Sequence, residues 1–98
     1  MSADAVAVAP HMYRVVLEND RVRVLEARAK PGDRADMHSH PAGVAITIAG
    51  AQVRVTLGDG ESTEVEFKPN EVRYMEPIEH AGEVVGPGEL RMLIIELK

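Results

Sequence analysis

Two histidines stand two residues apart in the stretch DMHSHPAGV, residues 36 to 44, immediately ahead of an apolar, β-branched run. In an extended strand, residues i and i+2 point to the same side. His38 and His40 can therefore aim both imidazoles at one place, with Ser39 turned away. An uncharged imidazole is a strong ligand for Zn, Fe, Ni or Cu and a less natural one for Mg or Ca. Two such rings do not hold an ion firmly, and the candidate for a third is His80, in EPIEHAGEV far along the chain. The bland alternative is a surface pair, or two hydrogen-bonded structural histidines. His11, near the start of the chain, reads as an exposed surface residue.

The rest of the composition narrows the chemistry. There are no cysteines, so disulfides, thiolate metal sites and cysteine nucleophiles are excluded, and a metal must be bound through imidazole nitrogen or carboxylate oxygen. The net charge is −5, from 11 basic and 16 acidic side chains, and aromatics make up only 3%. With no Lys/Arg cluster and few stacking rings, nucleic-acid binding is not expected. No apolar run reaches the length of a membrane-spanning helix, and MSADAVAVAP lacks the basic start and apolar core of a secretory signal. The expected location is the cytoplasm. No phosphate-binding glycine loop, Ser/His/Asp constellation or lysine nucleophile pattern is evident.

The elements that must position the histidines read as short strands. Residues 1–10 are small and apolar without a period and are expected to form a loose arm or a strand added to a partner, with the N-terminal arm extending over 1–12. One domain follows over 13–98. Within it YRVVLEN and RVRVLEARA are split by the turn pair Asn19-Asp20, KPGDRA is a loop turning at Pro31-Gly32, and VAITIA and QVRVTL read as a hairpin around Gly50. TEVEF, VRYM, AGEVV and LRMLIIEL complete the set, and no segment carries a sustained helical stripe. Many short strands with Gly/Pro turns indicate an all-β sandwich or barrel, which can enclose a small cavity.

If the strand bearing His38 and His40 runs on without a bulge, the same face carries Val44 and Ile46, so the histidines face an apolar interior. Val53, Val55 and Leu57 share one face of the next strand. One of Tyr74 and Met75 faces the cavity, and Met92 shares a face with Ile94. The candidate pocket is thus Val44, Ile46, Val55, Tyr74, Met75 and Met92. Both faces of the last strand are apolar, which suits burial against a second sheet or a dimer partner. Asp36, Glu76 and Glu79 lie near the histidines in sequence. Each is a candidate fourth ligand, a carboxylate that orients an imidazole, or a surface charge.

These motifs resemble those of the cupin superfamily. GDRADMHSHPAGVAITIAG is similar to its first motif, in Gly32, His38, His40 and Gly50, and KPNEVRYMEPIEH is similar to its second, in Pro69, Glu71 and His80. The resemblance covers about residues 20 to 97. It implies a single-domain double-stranded β-helix, a jelly-roll barrel, and a divalent transition metal (Fe, Ni, Mn or Zn) on His38, His40 and His80. It also implies a homodimer. The chain departs from the pattern where the first motif has a glutamate, here Val44 or Ala45. Asn70 stands in place of the turn glycine, where it tolerates left-handed backbone. Loss of the glutamate leaves either a neutral three-histidine site, as in dioxygenases resembling cysteine dioxygenase, or a cup without a metal. The expected ligand is a small molecule, handled either by oxygenase- or isomerase-type chemistry or by a non-enzymatic binding or regulatory protein.

Overall fold

A computed structural model describes residues 4–98. The alternating segments form nine strands: β1 (Tyr13–Glu18), β2 (Val22–Ala29), β3 (Arg34–His40), β4 (Gly43–Ala49), β5 (Ala51–Leu57), β6 (Ser62–Phe67), β7 (Val72–Met75), β8 (Ile78–Gly86) and β9 (Leu90–Leu97). They build two antiparallel sheets packed face to face, ordered β1-β2-β9-β4-β7 and β3-β8-β5-β6. Inward positions are small or branched and apolar: Leu25, Ala27 and Ala29 on β2, Ala45 on β4, Val53 on β5, Val84 on β8, and Leu90, Met92 and Ile94 on β9. Period-2 alternation and β-branched residues favour strands with one buried face, and burying Leu25 completely contributes roughly 1.5–3 kcal/mol relative to leaving it in water. The all-β barrel expected from the turn spacing is what the chain adopts.

Two local readings are corrected. VAITIA and QVRVTL do not form a hairpin: β4 pairs with β7 and β9 in one sheet, and β5 with β6 and β8 in the other. Gly50 is the corner between the sheets. A Cβ there would lie 2.2 Å from the Phe67 carbonyl oxygen, so only glycine lets the backbones meet. Local alternation cannot distinguish a tight hairpin from a one-residue corner. The second correction concerns the N-terminal segment. From Asp4 onward it is neither loose nor a free strand. Ala5–Val8 forms a short helix, α1, with Asp4 as N-cap accepting from the Val6 amide, and Ala5, Ala9 and Met12 are buried on the barrel. Residues 1–3 lie outside the described residues.

The turn reading at residue 70 holds. Asn70 sits at φ 69° and is the one non-glycine residue with positive φ among those described. Its amide donates to the Thr47 carbonyl, tying the β6–β7 turn to β4. Strand β9 is buried on its inner face. Its outer face, Leu93, Ile95 and Leu97, is covered less completely, and Leu97 is exposed. Among the described residues, no helix is long and apolar enough to cross a membrane.

Candidate metal centre

His38 and His40 lie on one face of β3 because their spacing matches the strand period, and both are almost fully buried. His80 lies within β8 rather than just ahead of a strand, directly opposite His38 in the β3–β8 ladder. Cross-strand neighbours sit about 4.5–5.5 Å apart at Cβ, so strand pairing alone sets the two rings side by side. Ring centroids are 5.0 Å apart for His38–His40, 4.8 Å for His38–His80 and 5.2 Å for His40–His80, each pair edge to face. One nitrogen of each ring lies within 4.8 Å of the others.

The hydrogen bonds fix which nitrogens point to the centre. The His38 Nδ1 donates to the Asp36 carbonyl oxygen at 2.7 Å, and the His40 Nδ1 donates to the Glu96 carboxylate at 2.9 Å. Each ring then keeps its Nε2 lone pair for a ligand role, the arrangement by which buried partners orient metal-binding histidines. Glu96 is held in turn by the Arg23 guanidinium at 2.8 Å, and Arg23 also bonds Asp4, the N-cap of α1. A chain of ion pairs and hydrogen bonds therefore runs from Asp4 through Arg23 and Glu96 to His40. Burial in a low-dielectric interior makes each link depend on the next. The three imidazoles fit a divalent transition ion by donor type and convergence.

Not every expected site residue is here. Val44 and Ile46 do not line the cavity. The chain leaves one sheet at His40 and enters the other at Gly43, and the Pro41-Ala42 crossing reverses the parity. Gly43, Ala45 and Thr47 face inward, and Val44, Ile46 and Ile48 face outward. Asp36 does not place its carboxylate at the site. Ala35 pairs with Gly82 and His38 with His80, so two residues of β3, Asp36 and Met37, oppose one of β8, Ala81. This bulge turns Asp36 and Met37 outward, and Asp36 orients His38 through its main-chain carbonyl alone. Glu79 is exposed on the outer face of β8, paired with Ser39, and Glu76 is exposed at the mouth of the cavity. Neither carboxylate bonds an imidazole among the described residues. Val55, Met75, Tyr74 and Met92 do line a cavity of about 400 Å³ with the three histidines, Tyr74 from an exposed rim position.

Glu96 and Tyr13 escape the sequence reading. Glu96 has the parity of Met92 and Ile94, a carboxylate on an otherwise apolar face, which is the signal that marks it. Tyr13 stands edge-on to both β3 histidines, with centroids 5.3 and 5.6 Å away, and its hydroxyl is 3.3 Å from the His38 Nε2. Burial, with the Glu96 charge second, pushes its phenol up to about 12, so it is protonated across the neutral range. It sits where the arm meets the barrel, and nothing in its neighbours betrays a role.

Desolvation, followed by repulsion from the His40 and His38 rings, lowers His80 from 6.5 to about 4. Burial likewise pushes His38 below its ordinary value. Both rings are neutral at pH 7, with lone pairs available. A folded value below the unfolded 6.5 means that the unfolded chain takes up protons which the folded chain refuses. This contribution to stability is complete above pH 6.5 and is lost as pH falls towards 4. The urea midpoint of metal-free protein is expected to be flat from pH 7 to 8 and to fall steadily below 6.5. A midpoint that holds constant down to pH 4.5 would show that the rings are hydrated and titrate normally.

The sequence matches no protein-family model and no curated protein. Solved structures are similar over most of the chain. A cupin domain from Bordetella pertussis shares 22% identity, with all of this chain and 97% of that one covered, at a TM-score of 0.81. A conserved protein with a double-stranded β-helix domain from Klebsiella pneumoniae shares 24% identity, covering 88% of this chain and 75% of that one, at 0.70. An RmlC-like cupin family protein from Methanocaldococcus jannaschii shares 15%, covering 87% and 77%, at 0.69. Strand order, corner glycine and these likenesses agree: the chain has the double-stranded β-helix fold of the cupins.

Proposed function

We propose that the protein binds one divalent transition metal through His38, His40 and His80 and presents it to a small molecule held in the cavity. The observation that carries this reading is the convergence of three imidazoles, two buried and the third half-buried, with His38 and His40 oriented from behind by bonds to Asp36 and Glu96. Iron, nickel, manganese and zinc all accept such a donor set. An ion there supplies Lewis acidity or oxygen activation, the chemistry of isomerases and dioxygenases. The chain's own contribution is an apolar wall of Val53, Val55, Phe67, Met75 and Met92, which excludes water and selects a ligand with an apolar body. Glu96 places negative charge one hydrogen bond behind the His40 imidazole, on the side away from the ion, in partial replacement of the glutamate that the first motif lacks.

Metal analysis after loading and desalting tests this reading. Native protein is expected to retain close to one ion per chain, and His38→Ala and His80→Ala to retain almost none. Equal content in all three would sink the site and leave the rival reading, a metal-free cup that binds or senses a small ligand.

The reading includes a homodimer in the cytoplasm. Its support is the outer face of the five-stranded sheet, where Val72 and Tyr74 on the edge strand β7 are more than half exposed beside Val44 and Ile46. An apolar face of this kind on a small domain suits a second copy. Light scattering is expected to give a dimer for the native chain and a monomer for Tyr74→Glu. A native monomer at high micromolar concentration would remove the second copy.

A further inference from the structure

We propose that the Tyr13 hydroxyl donates a hydrogen bond to the small anionic ligand that completes the metal's shell. The proposal rests on the metal reading above. The His38 Nδ1 is committed to the Asp36 carbonyl, so the Nε2 is the acceptor of that ring, and the Tyr13 hydroxyl lies 3.3 Å from it. An ion bound to that nitrogen takes the same lone pair, and the phenol must find another acceptor. Its ring cannot swing far, because it is wedged edge-on against both His38 and His40.

The buried Glu96 carboxylate, whose charge acts on Tyr13, already holds two partners. One Glu96 oxygen accepts from Arg23 and the other from His40. Among the other cavity-lining groups, the Arg73 guanidinium is taken up by the Glu71 carboxylate and the Phe67 ring. An atom filling the open position of the metal would lie on the side of His38 that the phenol already faces, and would offer it an acceptor in place of the Nε2 lone pair. A neutral donor held there favours an anionic oxygen or nitrogen over water, because a hydrogen bond to a charged acceptor is roughly twice as strong as one between neutral groups. The ligand class is therefore a small anion, such as a carboxylate or enolate, on an apolar body that fits the cavity.

Azide is a suitable probe. Cobalt(II)-loaded native protein and Tyr13→Phe are titrated with azide by visible absorption, and cobalt affinity is measured separately. The phenylalanine keeps the ring contacts and removes only the hydroxyl. Azide affinity is expected to fall tenfold or more, about 1.4 kcal/mol, with cobalt affinity changed less than twofold. Unchanged azide affinity overturns the proposal while leaving the metal site standing. So does a loss of cobalt affinity above tenfold, or a phenolate-to-iron absorption band in the iron(III) form that Tyr13→Phe abolishes, since either makes Tyr13 a ligand. Failure of the native chain to take up cobalt at all overturns this proposal and the metal reading together.

Discussion

Glu96→Ala is expected to destabilise the protein by about 3–5 kcal/mol, the range measured when one partner of a buried ion pair is removed. The mechanism is specific. Glu96 is almost wholly buried and divides its two oxygens between Arg23 and His40. Without it, the Arg23 charge keeps only Asp4, which is itself partly exposed, and the His40 Nδ1 is left facing an apolar interior. Denaturant unfolding reads the effect as a lower midpoint at unchanged slope. A double variant, Glu96→Leu with Arg23→Met, removes charge at both ends and is expected to recover much of the loss. A cost under 1 kcal/mol for the single variant would mean that the Asp4–Arg23–Glu96–His40 chain is solvated and carries little.

Metal loading is expected to raise the melting temperature by roughly 10–20 °C at a free concentration one hundred times the dissociation constant. That follows from a linkage gain of about 2.7 kcal/mol and a shift of about 4–8 °C per kcal/mol for a domain of this size. A chelator should reverse the shift. His80→Ala should abolish it, because two imidazoles from one strand do not close a site. A metal-dependent shift that persists in His80→Ala would point to ions bound elsewhere, and no shift in the native chain would remove the resident ion from the account.

The strands were legible because alternation is a local property of the chain, and the three histidines were legible because strand period and residue type both spoke for them. What escaped was set by contacts between distant segments. The parity of Val44 and Ile46 depends on a sheet change at Pro41-Ala42, which no local pattern records. The outward turn of Asp36 depends on one extra residue of β3 against β8. Glu96 was hidden by distance: it lies 56 positions after His40, and only the neighbouring placement of β9 and β4 brings its carboxylate beneath that ring. The small residues of the N-terminal segment look featureless until Ala5 and Ala9 are seen filling a surface that larger side chains could not approach.

The opposed placement of His38 and His80 has a kinetic consequence. They are 42 positions apart along the polypeptide, so an ion shared between them would clasp a long loop whose closure is entropically costly. Contacts made late in folding mainly slow the reverse reaction. Such a clasp would be felt in the lifetime of the native state, as resistance to proteolysis and to dilution into denaturant, far more than in the speed with which the barrel first assembles.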